Sequence, residues 1–419
     1  MIKKKVWHPA VTSQFAVCTI PFHMDTYRGC SYNCAYCFAR DFTTFARRNS
    51  ENKQFTYLEC NDPASFKRWV DRTLAADINY DKAEQVAFKE RMPLKIGATA
   101  DPFPRIEKIE RVTYEILKTL HEIDYPVQMS TKNPQVLASY SEDFKNPNWI
   151  VSVSIVTINE EHAKVIEPGA IEPERRFLGI EKLAQQGLNV LVRIQPTIYP
   201  NIMDELPEMV KRIFESGAKG FIMEGLKLRV TMPKHEQEIF RKIGDFHGYD
   251  IRQWYKDNGK LTGSDWEIPD HHKLEYITLA QMLAKTYGLK FYCADNIEKK
   301  CGDSAECCGT EYLRDYNIFA GTFRNKLFDN KNQGNYCVHF PKCRVNFVRS
   351  KNFKHLTVEE AADLKNSQVK KEPVKKVKAK PALTPAEEAK GRTPDYHSLS
   401  PREQWAQDKR LGILDWDGK

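Results

Sequence analysis

The stretch that organises this chain is Tyr27-Arg-Gly-Cys-Ser-Tyr-Asn-Cys-Ala-Tyr-Cys-Phe-Ala-Arg40, with the spacing Cys-x3-Cys-x2-Cys. The thiolates of Cys30, Cys34 and Cys37 are close enough in sequence to meet at one metal centre. A four-iron cluster held by three thiolates keeps one iron without a protein ligand. That iron can bind and activate a small molecule, as a catalytic zinc does at its open position.

Two other interpretations of the spacing stay open. One is a zinc loop with a fourth ligand elsewhere, and the other is a Cys-x2-Cys redox pair. Tyr36 directly before the third cysteine and Phe38 directly after it give the loop an apolar cover. Zinc ribbons usually repeat Cys-x2-Cys at a fixed distance, and the first half of the chain has no second copy. These flanking features favour the iron–sulfur interpretation.

Length and composition indicate a globular protein with a sizeable core. The chain has 419 residues, of which 41% are hydrophobic, which suits about two domains. No apolar run approaches the roughly 18 residues that a membrane span needs. The basic N-terminus has no apolar segment after it, unlike a signal peptide. Eleven cysteines without an export signal predict a cytoplasmic protein that uses thiols as metal ligands rather than in disulfides.

The positive charge is concentrated in one segment. Residues 366–392 contain eight Lys or Arg and three Glu, so five of the eight net positive charges lie there. The simpler interpretation is a solvated disordered linker. The alternative is a tether for the phosphate backbone of a nucleic acid.

Strand-like and helix-like segments alternate from the cysteine loop to about residue 225. The strand-like segments are 94–99, 126–131, 149–156, 188–194 and 220–224, and the helix-like segments are 105–123, 134–139, 173–186 and 204–216. This alternation predicts right-handed crossovers and a parallel sheet. With the strand before the cysteine loop, about six repeats fit residues 1–230. We therefore expect an α/β fold, a partial (β/α)6 TIM-like barrel, whose functional side chains lie at the C-terminal strand ends.

The rest of the sequence divides into three segments. We expect a cysteine-rich C-terminal domain at residues 231–355, a basic Pro/Lys-rich linker at 356–395 and a docking segment at 396–419. Six cysteines fall within 51 positions: Cys293, Cys301, Cys307, Cys308, Cys337 and Cys343. A second iron–sulfur or zinc site would need about four of them. The alternative is a group of reduced structural thiols.

The cysteine stretch resembles the signature of the radical S-adenosylmethionine (SAM) superfamily, CxxxCxΦC, in which Tyr36 takes the aromatic position Φ. The resemblance implies a [4Fe–4S] cluster whose unligated iron chelates the amino and carboxylate groups of SAM. It also implies reductive cleavage of SAM to methionine and a 5′-deoxyadenosyl radical, which abstracts hydrogen from a substrate. A flavodoxin or ferredoxin is the electron donor that such chemistry implies.

Four further segments are similar to the branch of this superfamily related to spore photoproduct lyase. They are Gly97-Ala-Thr-Ala-Asp-Pro-Phe-Pro104, Ser130-Thr-Lys-Asn133, Ser152-Val-Ser-Ile-Val-Thr157 and Glu167-Pro-Gly-Ala-Ile-Glu-Pro-Glu-Arg-Arg176. The branch has a G-T-x-T-D-P-Y/F turn, T-K and V-S-[IL]-T strand ends and an E-P…P-x-x-R helix start. The similarity covers roughly residues 20–230.

SAM presents a carboxylate, an amino group and a ribose diol, and the sequence offers candidates for each. Lys132 and Arg175 are candidate cations for the carboxylate. Asp101 is the candidate for the ribose or the amino group. Ser152 and Ser154 have the same side-chain parity on one strand, so we expect both to face the barrel interior and the ribose.

Tyr36, next to Cys37, is expected to lie close to the cofactor. Several of these candidates also have a structural explanation. Asp101 can build a turn, Arg175 can pair with Glu172, and the two serines can be small residues suited to packing.

The chain departs from the photoproduct lyases at one point. Those enzymes carry a cysteine near the end of the second barrel strand, which supplies a hydrogen atom to the product radical. The matching residues 97–103 contain no cysteine here, and Cys60 is the nearest in sequence. We therefore expect a different substrate or a tyrosyl hydrogen donor.

The leading hypothesis is a radical SAM enzyme, photoproduct-lyase-like, that acts on nucleic acid. A second hypothesis keeps the chemistry but makes the substrate a peptide or protein, recognised by the cysteine-rich domain. A third is a non-catalytic iron–sulfur or zinc module that binds nucleic acid. Fold-level analogy does not select among substrates.

Overall fold

The strands of the computed structural model form one eight-stranded sheet and two three-stranded sheets. The structure describes residues 2–11, 20–39, 59–76, 83–232, 234–295, 302–303 and 307–317. The strands are β1 (Lys3–Lys5), β2 (Ala10–Val11), β3 (Phe22–Met24), β4 (Tyr27–Arg28), β5 (Glu59–Asn61), β6 (Leu94–Ile96), β7 (Val127–Thr131), β8 (Trp149–Ser154), β9 (Asn189–Thr197), β10 (Gly220–Gly225), β11 (Lys227–Arg229), β12 (Lys260–Thr262), β13 (Asp265–Glu267) and β14 (Lys290–Cys293).

Helices connect most of these strands. They are α1 (Pro63–Ala75), α2 (Ala83–Lys89), α3 (Glu107–Glu110), α4 (Val112–Glu122), α5 (Pro134–Ala138), α6 (Glu160–Ile166), α7 (Pro173–Gln185), α8 (Ile202–Glu215), α9 (Lys234–His247), α10 (Ile251–Asn258) and α11 (Asp270–Tyr287). Among the described residues, no helix is both long and apolar enough to cross a bilayer.

The main sheet has the order β14-β10-β9-β8-β7-β6-β3-β2, and every neighbouring pair from β3 to β14 is parallel. Six of these strands, β3 and β6 to β10, therefore follow one another in space as they do in sequence. This succession confirms the α/β fold with a partial parallel barrel. β14 adds a seventh parallel strand beside β10. This strand was not predicted, because the alternating pattern in the sequence ends near residue 225.

The predicted helix over residues 105–123 is two helices, α3 and α4. Arg111 breaks them by adopting a left-handed backbone with φ of 50°. The Glu107 carboxylate accepts hydrogen bonds from the backbone N–H groups of Thr113 and Tyr114, which are free at the start of the new helix. It also accepts a hydrogen bond from the Tyr27 hydroxyl. Burial raises the pKa of Glu107 to about 6, and the carboxyl group joins this helix start to the strand before the cysteine loop.

Alternate residues of the barrel strands face two different environments. Val151 and Val153 pack in the large core between the sheet and the helices. Ile150, on the same strand, belongs instead to a smaller cluster with Leu191 and Ile222 of the neighbouring strands. Because side chains alternate along a strand, this smaller cluster lies inside the barrel. It fills the interior near the N-terminal ends of the strands.

Residues 307–317 cover this N-terminal end of the barrel. Leu313 packs into the interior cluster, and Asn189 donates its side-chain amide to the Tyr312 carbonyl at 3.4 Å. Asn148, just before β8, exchanges two hydrogen bonds of 2.8 Å with the backbone of Arg314. The cover therefore binds the loops that lead into the barrel strands.

The remaining domain predictions are only partly represented in the structure. Within residues 231–355, α11, β14 and the 307–317 cover pack on the barrel sheet or its helices. The linker at 356–395 and the docking segment at 396–419 lie outside the described residues. The boundaries proposed from the sequence stay predictions.

The contacts of residues 307–317 indicate that the stability of the barrel depends on residues far along the chain. Leu313 is 6% exposed, so replacing it with alanine removes buried apolar surface and leaves a cavity. We expect Leu313→Ala to lower the free energy of unfolding by about 2–5 kcal/mol in urea denaturation. Leu261, which is 63% exposed, is the matched control, and Leu261→Ala should change stability by less than about 0.5 kcal/mol. Equal stabilities would contradict the role of the cover.

Candidate functional site

The three cysteines lie in a tight loop that follows β4. Gly29 and Asn33 adopt positive φ angles of 93° and 50°, which turn the backbone sharply between the cysteines. The backbone N–H of Cys37 donates to the Cys34 carbonyl at 3.2 Å. All three thiols are free, with Cys34 buried and the other two partly exposed. The loop can thus present three sulfur ligands from a short, well-defined turn.

The surroundings of the loop keep its thiols protonated when no metal is bound. Burial, followed by the Asp101 charge, raises the pKa of Cys30 to about 11. Burial raises the pKa of Cys34 still further, although the Lys132 charge opposes this. Without a metal these thiols therefore stay protonated, and a bound iron cluster would displace their protons. Among the described residues, no three His, Cys, Asp or Glu side chains are arranged to hold a single metal ion. In a four-iron cluster each cysteine binds a different iron atom, so the three thiols need not converge on one point.

One segment of the barrel runs along the cysteine loop. The Ala35 N–H donates to the Ile166 carbonyl at 2.8 Å, and the Gly169 N–H donates to the Tyr32 carbonyl at 3.0 Å. A Cβ atom on Gly169 would lie 2.1 Å from the Ser31 carbonyl oxygen. Only glycine permits this approach of two backbones. Residues 166–169 therefore dock directly against the loop.

Glu167, in the middle of this segment, joins two predicted site residues. Its carboxylate accepts a hydrogen bond from the Tyr36 hydroxyl and lies 3.7 Å from the Lys132 ammonium. The same ammonium lies 5.5 Å from the centre of the Tyr36 ring. The Lys132 side chain is 15% exposed, so it borders accessible space beside the loop. Burial lowers the pKa of Lys132, but the surrounding acidic groups, Glu167 among them, outweigh this effect and raise the pKa, so the group stays cationic.

Asp101 is buried and bound by the end of β7. Its carboxylate accepts hydrogen bonds from the Phe103 N–H at 2.9 Å, the Thr131 hydroxyl at 2.9 Å and the Lys132 N–H at 2.7 Å. The hydrogen bond from the Phe103 N–H closes a local turn, which was the structural explanation for an aspartate at this position. The bond to Lys132 also fixes the backbone that carries the candidate cation. Asp101 thus lies at the predicted site and holds its neighbours in place.

The two candidate serines lie on β8 in the barrel interior. The Ser152 hydroxyl accepts a hydrogen bond from the Gln128 side chain at 3.1 Å, and Ser154 is 9% exposed. Arg193 on β9 reaches across β8 and donates to the Ser130 hydroxyl on β7 at 3.1 Å. A bond that passes over the intervening strand must cross its interior face. The serines therefore share the interior with Gln128, Ser130 and Arg193.

Polar residues that the sequence analysis missed line the last strands of the barrel. The Gln195 amide donates to the Glu224 carboxylate at 2.5 Å, across β9 and β10. Burial and then the Asp295 charge raise the pKa of Glu224. Asp295 itself accepts a hydrogen bond from the Tyr276 hydroxyl at 2.5 Å. Glu224 lies near the end of the apolar strand β10, and Asp295 follows the apolar strand β14, which is the signal that the sequence carried for them.

Arg175, the second candidate cation, lies on the surface of a helix. It is exposed on α7, and its guanidinium donates to the Gln135 side chain at 3.2 Å. The neighbouring Arg176 is 1% exposed and lies 2.6 Å from the Glu167 carboxylate. Arg176 shares the face of Ile180 and Leu183, which are also buried. The helical spacing of these apolar residues was the signal that selects Arg176 over Arg175.

The described cysteines of the second group lie at two separate places. Cys307 and Cys308 have sulfur atoms 3.9 Å apart and lie in the cover at the N-terminal end of the barrel. Cys293 ends β14 and packs on the helix side of the sheet. The other three, Cys301, Cys337 and Cys343, lie outside the described residues. A second metal site stays a prediction.

A three-thiol loop at the C-terminal end of a partial parallel barrel defines a class of protein. The family model of the Radical SAM superfamily matches residues 24–213, so these residues form a radical SAM domain. Such a domain implies a [4Fe–4S] cluster and SAM. The three free, neighbouring thiols and the cation beside them fit these groups.

Curated relatives match about half of the chain. An uncharacterized protein of Mycobacterium tuberculosis (strain H37Rv) is 26% identical over 219 residues, which cover 50% of this chain and 60% of that protein. An uncharacterized protein of Acidianus two-tailed virus is 25% identical over 230 residues, covering 51% of this chain and 70% of the viral protein. The chain thus spans less than two thirds of the mycobacterial relative.

Solved structures with similar chains include a photoproduct lyase and a protein bound to a precursor peptide. A spore photoproduct lyase mutant with bound AdoMet and dinucleoside spore photoproduct has a TM-score of 0.45 and 15% identity, covering 68% of this chain and 80% of that chain. SuiB of Streptococcus suis bound to the precursor peptide SuiA has a TM-score of 0.35 and 11% identity, covering 55% and 46%. The family assignment rests on the sequence match.

The close approach of Gly169 predicts a specific defect. Gly169→Ala forces the Ser31 carbonyl away, and we expect a loss of about 1–3 kcal/mol in unfolding free energy together with lower iron content after anaerobic reconstitution. Gly179→Ala is the matched control, because its Cβ would meet Pro134 on another helix. It should leave iron content unchanged. Equal iron content in both variants would show that Gly169 does not position the loop.

Proposed function

We propose that this protein is a radical SAM enzyme that cleaves SAM reductively and abstracts a hydrogen atom from a substrate bound at the barrel mouth. Cys30, Cys34 and Cys37 would hold the cluster. The observation that carries the proposal is the position of this loop beside a partly exposed cation, Lys132, at the C-terminal strand ends. When bound, the cluster and SAM supply a one-electron cleavage that yields methionine and a 5′-deoxyadenosyl radical.

The residues of the chain would bind and orient SAM. Lys132 is held by Glu167 and would receive the SAM carboxylate in a charge-assisted contact. Tyr36 would cover the cluster side of the site. Ser152 and Ser154 would offer hydroxyl groups to the ribose from the interior of β8, and Asp101 would keep the backbone of Lys132 in place.

Nucleic acid is the substrate class that we favour. The branch resemblance and the concentration of positive charge in residues 366–392 support it. The missing cysteine in residues 97–103 supports a reaction other than thymine-dimer repair. We further propose a cytoplasmic location and a flavodoxin- or ferredoxin-type electron donor, since the eleven cysteines and the one-electron chemistry suit a reducing compartment.

Anaerobic reconstitution tests the reaction class. With a strong reductant and SAM, the wild-type protein should release 5′-deoxyadenosine, and SAM should alter the spectrum of the reduced cluster. The Cys30→Ala/Cys34→Ala/Cys37→Ala variant should lose both signals because the ligands are gone. Cys60→Ala, which removes a buried cysteine outside the loop, should retain them. If the reconstituted wild-type protein shows neither signal, the proposed radical SAM activity is excluded.

Deuterated substrates separate the substrate classes in the same assay. Oligonucleotides should transfer deuterium into 5′-deoxyadenosine. Transfer from peptides alone would instead support a peptide-modifying enzyme.

A second test addresses the role of Lys132. Lys132→Met removes the cation but keeps the aliphatic stem, and we expect the Kd for SAM to rise by about tenfold or more. Lys145→Met is the control at an exposed lysine and should leave the Kd unchanged. Iron content is measured in each sample. An unchanged Kd in a fully loaded Lys132→Met protein would remove Lys132 from the SAM site.

A further inference from the structure

Glu167 and Arg176 form a buried ion pair behind the cysteine loop. Their side chains are each 1% exposed, and Arg176 Nη1 lies 2.6 Å from Glu167 Oε2. Burying two charges is costly, and a buried pair is seldom the most stable way to fill a core. Its presence beside the loop therefore calls for a role other than packing.

Arg176 is fixed by the barrel. Its Nε donates to the Ile171 carbonyl at 2.8 Å, and Nη1 donates to the Ser154 carbonyl at 2.9 Å. These bonds join α7 to the C-terminal end of β8 and to the segment that follows Glu167. Among the described residues, Nη2 of Arg176 has no hydrogen-bond partner although it is buried. One nitrogen of the guanidinium group is therefore left without a hydrogen bond from the described residues.

Glu167 divides its two oxygen atoms between the barrel and the loop. Oε2 faces Arg176, whereas Oε1 accepts the Tyr36 hydroxyl and faces Lys132. The backbone on both sides of Glu167 is also bound to the loop, through Ile166 and Gly169. One carboxylate therefore connects the fixed arginine, the loop and the candidate SAM cation.

We propose that Glu167 and Arg176 are positioning residues that hold the cysteine loop and Lys132 in the arrangement required by the cluster and SAM, and that set the charge beside Cys34. The inference rests on the proposed function for the identity of the bound groups. Lys132, Glu167 and Arg176 together carry a net charge of +1 at neutral pH. Loss of the Glu167 charge makes this net charge more positive, and loss of the Arg176 charge makes it less positive.

Hydrogen exchange of the metal-free protein tests the positioning role without the cluster. In Glu167→Gln and Arg176→Met, we expect the amides of residues 30–37 to exchange about tenfold faster or more, because the Ala35 bond to residue 166 opens more often. Lys182→Met, an exposed cation on the same helix, is the control. Unchanged exchange in the loop of both variants would overturn the positioning role.

The midpoint potential of the reconstituted cluster tests the charge role. Glu167→Gln should raise it, since an uncompensated positive charge favours the added electron, and Arg176→Met should lower it. The double variant should return toward the wild-type potential. Unfolding or loosening alone would not move the two single variants in opposite directions. Shifts of the same sign, or none, would overturn this part of the inference.

Conservative variants complete the test. Arg176→Lys and Glu167→Asp keep the charges and should retain most of the iron and SAM binding, whereas Glu167→Gln and Arg176→Met should lose about 10- to 100-fold in iron or SAM affinity. Equal losses in conservative and neutral variants would contradict a charge role. A wild-type protein that binds no iron would instead refute the proposed function, and the exchange experiment would still decide the positioning role.

Discussion

The buried carboxylate of Glu167 is the constraint on which the candidate site depends. An isolated buried carboxylate would cost several kcal/mol, so its position is stable only because Arg176 and Lys132 supply opposite charge at 2.6 and 3.7 Å. Burial raises the pKa of Glu167, but the two cations outweigh it and hold the pKa below its ordinary value. The group is therefore ionised, and it attracts the Lys132 ammonium toward the loop.

The barrel supplies this constraint through its strand ends. Asp101 binds the backbone of Lys132 at the end of β7, and Arg176 binds the Ser154 carbonyl at the end of β8. Each of these buried polar groups satisfies backbone atoms that the end of a strand leaves free. The loop with the cysteines then rests on two fixed neighbours rather than on its own short sequence. A loop of this length can hold three thiols in one arrangement because the barrel behind it is rigid.

The periodicity of the sequence predicts the strands of the barrel but not the charged contacts around the cysteine loop. The alternation of segments predicted β6 to β10 in the correct order, since short runs rich in apolar residues alternate with longer segments of helical spacing. It failed at β14, which pairs with β10 across 64 intervening residues. The helix pattern of α7 could have distinguished Arg176 from Arg175, because only Arg176 shares the face of Ile180. Contacts of Glu167 with Tyr36 and Lys132 depend on tertiary approach, which one sequence does not display.

Cys307 and Cys308 lie at the opposite end of the barrel from the cysteine loop, and this separation limits what a metal bound to them could do. Cys307 and Cys308 lie in the cover over the N-terminal strand ends, whereas the cysteine loop follows β4 at the C-terminal side. The six residues of β8 alone span about 17 Å. A metal bound at Cys307 or Cys308 would therefore lie below the apolar cluster that includes Leu313, and not in contact with SAM. Any ligation there would act first on the cover, and so on the stability of the barrel interior that carries Arg193 and Glu224.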